Sequence, residues 1–255
     1  MGHVRGWITA VWLGLTTLFF IFAGLPVRLF TGNGDIWGWF GRRLWGPSIL
    51  WFAGAKVEVT SAALPDGPLV FAANHESALD ICVLFKVLPR NVRFIAKREL
   101  FDLPVFGWYM RIGGHVPVDR TNRSSAIQTL RRAGEMIRGG TSIIAFPEGT
   151  RSKDGLVHAF KKGPFVVAKE AGVPVVPVAI AGAGALNPKG AIYALPGTIR
   201  VSLGEAVNPA DFPDRTDLLV EVRRRVIAQH RALGGLGGNP DKSVAAAGLE
   251  GAAAE

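Results

Sequence analysis

The chain has 255 residues, 49% of them apolar and 19% charged, and this composition excludes a disordered, collagen-like or disulfide-scaffold protein. Lys and Arg outnumber Asp and Glu by 29 to 20, so the net charge is +9, which predicts a polyanionic partner. Nucleic acid, an acidic membrane surface and a phosphorylated substrate are the candidates. The single cysteine, Cys82, excludes an intramolecular disulfide, and its apolar neighbours predict a buried structural thiol.

The first fifth of the chain differs from the rest in composition. Six of the seven tryptophans precede residue 52, and residues 7–25 carry no charge. At about 1.5 Å per helical residue, this run covers about 30 Å, which is enough to cross a bilayer. A cleaved signal peptide is the less favoured alternative, because Pro26 and Arg28 follow directly and a second membrane-like segment comes next.

That second segment has one apolar stripe at helical spacing, formed by Trp37, Phe40, Leu44 and Trp45. Arg42 and Arg43 lie off the stripe, and Pro47 is expected to interrupt the helix. Indole rings settle at headgroup depth and Arg attracts anionic lipid, so residues 1–55 are predicted to be membrane-docking helices. An aromatic helix packed on the soluble domain is the alternative.

Residues 56–233 alternate short β-rich runs with helical runs. The predicted strands are residues 69–72, 92–96, 115–118, 142–146, 175–180 and 199–203. The clearest helices are residues 124–139 and 216–233, the second with Arg223 facing largely outward. This alternation predicts an α/β domain in which helices flank a mostly parallel or mixed central sheet. Residues 234–255 are rich in Gly and Ala and predict a disordered tail.

The segment NHESALD, residues 74–80, follows a buried predicted strand and leads into a helical run. Two residues five apart in an α-helix point about 140° apart, so His75 and Asp80 cannot share one helix face. We therefore expect His75 in the strand-to-helix turn and Asp80 in the helix behind it. This arrangement suits a general base whose tautomer is fixed by the carboxylate. A purely structural pair is equally compatible with the spacing, and a metal site lacks further clustered ligands.

The segment FPEGTRS, residues 146–152, also follows a buried predicted strand. Pro147 ends the strand pairing and Gly149 lets the backbone approach a ligand. Thr150 and Arg151 then supply hydroxyl and guanidinium donors, so the segment predicts an oxyanion cradle with phosphate as guest. An ordinary solvated turn is the alternative.

Four cations are candidates to converge at one end of a parallel sheet: Lys97, Arg120, Arg151 and Lys161. Arg120 has a structural alternative, because neighbouring Asp119 can neutralise it. Nucleic acid is disfavoured as a partner, since the basic residues are scattered and the tryptophans do not interleave with them. Neither a complete phosphate-binding P-loop motif nor a complete dinucleotide-binding motif occurs.

Four segments together resemble the ordered motifs of the PlsC-type glycerolipid acyltransferases: residues 74–80, 114–120, 146–152 and 173–178. The resemblance covers roughly residues 57–205. It implies that His75 is the catalytic base and Asp80 its partner, and that residues 173–178 are an acyl-chain or structural element. His115 departs from the usual apolar residue of the second motif and receives no catalytic role.

The acceptor-phosphate site that the resemblance implies consists of Arg120, Glu148, Gly149, Thr150 and Arg151, and Lys97 also resembles a basic position of the family. The implied reaction moves an acyl chain from acyl-CoA or acyl-carrier protein to the sn-2 hydroxyl of 1-acylglycerol 3-phosphate, lysophosphatidate, giving phosphatidic acid. No acyl-enzyme, metal or redox cofactor is implied. The implied location is a membrane, at the cytoplasmic face of the bacterial inner membrane.

Two alternatives stay open at this point. The first is an acyltransferase with glycerol 3-phosphate or a different lyso-lipid as acceptor. The second is a non-catalytic, membrane-docked lipid-binding protein, which would have no need of the His75 and Asp80 pair.

Overall fold

A mixed sheet forms the centre of the computed structural model, which describes residues 2–31, 36–89, 92–118, 123–191 and 193–238. In these ranges it has seven strands: β1 (Ala55–Ser61), β2 (Val70–Ala73), β3 (Val92–Lys97), β4 (Val116–Val118), β5 (Ser142–Ala145), β6 (Val175–Ala181) and β7 (Gly197–Leu203). Their order is β1-β7-β6-β2-β5-β3-β4. All neighbours are parallel except β6 and β7, which are antiparallel. The predicted α/β fold class is confirmed.

The six predicted strands are all present, and β1 is the one strand of the described ranges that was not predicted. Strands β2, β5 and β6 are buried along their whole length, so each reads as a continuous apolar run. Strand β1 lies at the edge of the sheet and is largely exposed or half-buried. Its residues alternate between polar and apolar, so β1 lacks the continuous apolar run from which the other strands were predicted.

Helices cover both faces of the sheet. In chain order they are α1 (Gly2–Thr31), α2 (Ile36–Phe40), α3 (Gly46–Ala53), α4 (Leu79–Val87), α5 (Phe106–Ile112), α6 (Arg123–Arg138), α7 (Gly163–Ala171), α8 (Ala183–Leu186) and α9 (Arg215–Ala232). Helices α3, α4 and α8 pack on the face that carries Phe71, whereas α6, α7 and α9 pack on the face that carries Val70 and Ala72. Alternate residues of β2 thus serve two separate cores.

Helix α1 continues through Pro26 and contains the one stretch in the described ranges that is long and apolar enough to cross a membrane, Gly6–Gly24, with a mean hydropathy of 1.8. One side of α1 packs on the body of the protein, where Trp12 contacts Phe52 and Thr17 accepts a 2.9 Å hydrogen bond from the Trp45 indole. The opposite side is apolar and exposed. Its large exposed side chains include Trp7, Val11, Leu15, Phe19, Phe22 and Phe30.

The second N-terminal segment differs from its prediction. A π-helical stretch, Gly41–Trp45, joins α2 to α3 without a break, and Pro47 lies directly after it, at the second residue of α3. The expected interruption at Pro47 is therefore wrong. A π turn holds an extra residue and rotates the side chains that follow. Leu44 consequently faces outward while Trp45 packs on Phe85 of α4, which splits the predicted stripe.

The C-terminal region also differs in two places. Arg223 was expected to face outward, but it is buried and its guanidinium donates to the carbonyl oxygens of Val157 and His158 at 3.1 and 3.0 Å. The predicted tail starts too early, because residues 234–238 are folded. There the Gly237 carbonyl accepts a 2.8 Å bond from the Val157 N–H, and the two chain segments form a parallel bridge. Residues 239–255 lie outside the described residues.

Candidate active site

Parallel strands bring the predicted motifs to one edge of the sheet. Strands β2, β5, β3 and β4 are successive parallel neighbours, so their carboxyl ends meet. His75 follows β2, residues 146–152 follow β5, and Lys97 ends β3. The register pairs Lys97 with Val118, the last residue of β4. Arg120, two residues further on, lies outside the described residues.

His75 lies in the loop between β2 and α4, and Asp80 lies in the first turn of α4, as the helical pitch required. The His75 Nδ1 is 2.7 Å from the Asp80 Oδ2. The same oxygen accepts hydrogen bonds from the backbone N–H groups of Glu76 and Ser77 at 2.7 and 2.9 Å. A carboxylate that only accepts fixes the proton of His75 on Nδ1 and leaves Nε2 with its lone pair.

The environment of the pair holds the imidazole in one orientation. Asp80 is fully buried, whereas the His75 side chain keeps 16% of its surface exposed. The His75 ring stacks on Phe146 with 3.9 Å between ring centroids and an interplanar angle of 16°. Asn74 ties the start of this loop to β6 through two 2.8 Å hydrogen bonds with the backbone of Ile180. The hydrogen bond to Asp80 and the stacking on Phe146 therefore fix the orientation of the His75 ring.

Glu148, which the resemblance implies for the phosphate site, has its carboxylate turned toward backbone donors in the protein interior. Its two carboxylate oxygens accept bonds from the backbone N–H groups of His75 and His158 at 2.8 and 2.9 Å. The side chain is buried, and burial raises the pKa of this carboxyl against the opposing effect of the two N–H donors. Glu148 thus braces the His75 loop against the turn after β5.

Lysine side chains surround the turn after β5. Gly149 has a φ of 77°, and a Cβ atom at this position would lie 2.9 Å from the Lys161 Cε, so Lys161 crosses directly over the glycine. Thr150 is exposed, and its hydroxyl accepts a 2.7 Å bond from the Lys189 ammonium. Lys189 also donates to the Arg151 carbonyl at 3.0 Å. Four of the predicted residues, Gly149, Thr150, Arg151 and Lys161, therefore meet here.

Lys189 was not among the predicted site residues. It lies in the loop between α8 and β7, 39 residues from Thr150 in sequence, and no motif spacing connects the two. Within the described ranges no carboxylate lies within salt-bridge distance of Lys189, so its charge is not neutralised there. Lys97, in contrast, forms a 2.8 Å ion pair with Glu99 at the end of β3.

Two other polar residues of the core are inert. Burial, together with the nearby Asp80, raises the pKa of the Cys82 thiol to about 12, which suits the predicted structural thiol and excludes a thiolate nucleophile at neutral pH. His115 is buried and accepts a 3.1 Å bond from the Phe94 N–H through Nδ1. Burial, with a smaller contribution from Arg93, lowers the pKa of His115 to about 3, so the ring is neutral.

The chain is similar to known acyltransferases. Residues 56–181 match the family model described as Acyltransferase. A chloroplastic 1-acyl-sn-glycerol-3-phosphate acyltransferase of Brassica napus is 40% identical over 165 residues, which cover 64% of this chain and 46% of the relative. The human 1-acyl-sn-glycerol-3-phosphate acyltransferase beta is 35% identical over 193 residues, covering 72% of this chain and 68% of the relative.

A solved structure is also similar along almost the whole chain. The 1-acyl-sn-glycerophosphate acyltransferase PlsC of Thermotoga maritima superposes with a TM-score of 0.78 at 29% identity, covering 92% of this chain and 98% of that one. The chain spans about half the length of the Brassica napus relative and 64% of an Arabidopsis thaliana relative. The predicted family is confirmed: the chain belongs to the glycerolipid acyltransferase family that includes the 1-acyl-sn-glycerol-3-phosphate acyltransferases.

Proposed function

We propose that this protein transfers an acyl chain from acyl-CoA or acyl-carrier protein to the sn-2 hydroxyl of 1-acylglycerol 3-phosphate, giving phosphatidic acid. The observation that carries the proposal is a histidine whose Nδ1 is held by a buried carboxylate, at the same sheet edge as a turn flanked by cations. The acyl acceptor for which these relatives are named supports the choice of acceptor.

The pair of His75 and Asp80 acts as the general base. Nε2 of His75 accepts the proton of the sn-2 hydroxyl while that oxygen attacks the thioester carbonyl carbon. The new C–O ester bond forms, the C–S bond breaks, and the thiolate leaves with the proton that His75 returns. Asp80 stabilises the imidazolium between these steps, because its Oδ2 already accepts from Nδ1. The hydroxyl attacks directly, so no acyl-enzyme forms.

The turn after β5 holds the phosphate of the acceptor. Thr150, Arg151 and Lys161 supply a hydroxyl, a guanidinium and an ammonium at that turn, and Lys97 and Arg120 add charge from β3 and from the segment after β4. Binding of the phosphate at this turn places the sn-2 hydroxyl near His75 in a fixed orientation, which lowers the entropic cost of the reaction. The buried Glu148 carboxylate stays out of this contact and braces both turns from behind.

The proposed reaction uses no resident metal or redox cofactor. Deprotonating a hydroxyl and expelling a thiolate require a base and donors for the oxyanion, and no electrons are exchanged. The Gly149 N–H is not such a donor in this structure, since it donates to the Phe146 carbonyl at 3.0 Å. The thioester donor is a co-substrate.

We also propose that the enzyme works at a membrane, on the cytoplasmic face of the bacterial inner membrane, where soluble thioester donors are available. The apolar exposed side of α1 supports docking into a bilayer, and aromatic rings such as Trp7 and Phe19 suit the headgroup and acyl boundary. The excess positive charge is then assigned to the bilayer and to the lipid phosphate, and not to nucleic acid.

An acceptor panel tests the proposed function. Membranes containing the protein are given acyl-CoA or acyl-carrier protein together with lysophosphatidate, glycerol 3-phosphate or lysophosphatidylcholine, and free thiol release is followed. We expect lysophosphatidate to give the highest kcat/KM. Faster release with another acceptor would replace lysophosphatidate as the substrate, and no release in any arm would favour a lipid-binding protein without catalysis.

A further inference from the structure

A second buried histidine–carboxylate pair lies directly behind the first. His230, in the last turn of α9, has its Nε2 2.7 Å from the Glu76 Oε1, and the two side chains are 1% and 8% exposed. The Gly237 N–H donates to the other ring nitrogen, Nδ1, at 3.0 Å. Because Nδ1 accepts a hydrogen bond, the ring proton lies on Nε2 and is donated to Glu76.

Glu76 connects this pair to the proposed base. It follows His75 in sequence, and its own N–H donates to the Asp80 Oδ2, the oxygen that also holds the His75 Nδ1. Its second carboxylate oxygen accepts a 3.1 Å bond from the Gly184 N–H at the start of α8. The backbone of Glu76 is thus fixed by Asp80, and its side chain by α8 and α9.

The pair lies between a cavity and the backbone of Gly235. A cavity of about 270 Å³ adjoins it and is lined by both Glu76 and His230, together with Ser152, Lys189 and Leu236. The hydrogen bonds of the Glu76 carboxylate therefore act together with packing in fixing its position. On the other side the ring is tightly enclosed, because a Cβ atom on Gly235 would lie 2.4 Å from the His230 Cε1.

We propose that His230 is a positioning residue for the acyl transfer. By holding the Glu76 carboxylate, it fixes the turn at residues 75–77, so that Asp80 keeps its three donors and His75 keeps its orientation. His230 does not touch the reacting atoms and lies outside residues 56–181, which match the family model. The inference rests on the proposed function, because the base it positions is the one proposed above.

Two substitutions at His230 separate its two hydrogen bonds. The amide nitrogen of Gln occupies nearly the position of histidine Nε2, so His230→Gln keeps the donor to Glu76 and loses the acceptor for Gly237. The oxygen of Asn occupies nearly the position of Nδ1, so His230→Asn keeps the acceptor and loses the donor. We expect kcat to fall about tenfold in His230→Asn with KM for the acceptor within twofold, and to stay within threefold of wild type in His230→Gln.

A third substitution displaces the ring without altering its chemistry. Gly235→Ala drives a methyl group into the His230 ring and is expected to lower kcat as His230→Asn does. Arg224→Ala is the matched control on the same helix, because Arg224 is exposed and, in the described part of the chain, its guanidinium pairs with the Glu221 carboxylate. It is expected to leave kcat within twofold of wild type.

Each outcome decides the proposal. All variants are assayed with the acceptor that the wild type uses. A wild type that turns over no acceptor would reject the proposed function itself, whereas the outcomes below concern only the role of His230. Equal losses in His230→Asn and His230→Gln, or an unchanged kcat in His230→Asn and Gly235→Ala, would overturn the positioning role. Loss of cooperative unfolding in both His230→Asn and Gly235→Ala would assign the pair to stability only.

Discussion

The two turns at the carboxyl edge of the sheet hold their polar side chains in opposite ways. After β2, the carboxylate of Asp80 is fully buried and one of its oxygens accepts three hydrogen bonds. After β5, Thr150 and Lys161 are exposed, and the turn is framed by flexible lysine side chains. The first turn fixes geometry, as proton transfer requires, and the second gathers positive charge, as phosphate binding requires. Damage to the first should lower kcat, and damage to the second should raise KM.

His75→Ala should have the largest effect, because it removes the proposed base. A positioned general base contributes about 10²- to 10⁴-fold, so we expect kcat to fall about 10³-fold with KM for lysophosphatidate within about twofold. The measurement is initial thiol release at saturating acyl-CoA. Thermal unfolding is recorded in parallel, and a folded variant with near-normal kcat would remove His75 from the mechanism.

Gly149→Ala should come next and act mainly through binding. A residue with a side chain is strained at a φ of 77°, which costs about 1 kcal/mol of unfolding free energy, and the new methyl group displaces Lys161. We expect KM for the acceptor to rise about tenfold in acceptor titrations. Gly172→Ala is the matched control, since Gly172 has a φ of 66° with no atom near the added methyl group. An equal rise in KM in both variants would show that general strain is responsible.

Lys189→Ala should have a smaller effect of the same kind. The ammonium lies beside Thr150 and Arg151 without a carboxylate partner in the described part of the chain, so its loss should raise KM for the phosphorylated acceptor about three- to fivefold and leave kcat within twofold. Lys169→Ala is the control, because Lys169 likewise donates to carbonyl oxygens, those of Phe212 and Pro213. A drop in kcat without a change in KM would place Lys189 with the first turn instead.

His115→Asn should leave activity at neutral pH within twofold and weaken the pH dependence of the unfolding free energy in acid. Burial lowers the pKa of His115 to about 3, against 6.5 in the unfolded chain, so only the unfolded state gains a proton as the pH falls between these values. The stability that this neutral histidine contributes above pH 6.5 is lost on acidification. The measurement is the unfolding free energy as a function of pH from pH 7 to pH 3. In His115→Asn, the slope of this curve should decrease by an amount that corresponds to up to one proton, and an unchanged slope would contradict the account.

Local features were predictable from the sequence. Buried strands read as apolar runs, and the helical pitch alone separated His75 from Asp80, so the turn and its hydrogen bond followed from residues only five apart. The turn with Gly149 was also predictable, because it directly follows a buried strand that forms a continuous apolar run. Edge strand β1 was not, because its exposed residues lack that pattern.

Contacts between distant segments were not predictable. Lys189 reaches Thr150 across 39 residues, and His230 reaches Glu76 across 154, so neither left a spacing signal. Glu148 was expected in the phosphate site only because the family resemblance implies it. Its carboxylate turned inward because the backbone N–H groups of His75 and His158 need an acceptor in a buried site.

The central claim is that His75 and Asp80 act as one general base, and a double substitution tests it most directly. If Asp80 acts only through the His75 ring, Asp80→Asn should lower kcat about 10²-fold in the wild type and change it less than about threefold in the His75→Ala background. The measurement is kcat for His75→Ala and for His75→Ala/Asp80→Asn at saturating lysophosphatidate and acyl-CoA. A further loss of about 10²-fold in the double variant would contradict the account, because Asp80 would then contribute without His75.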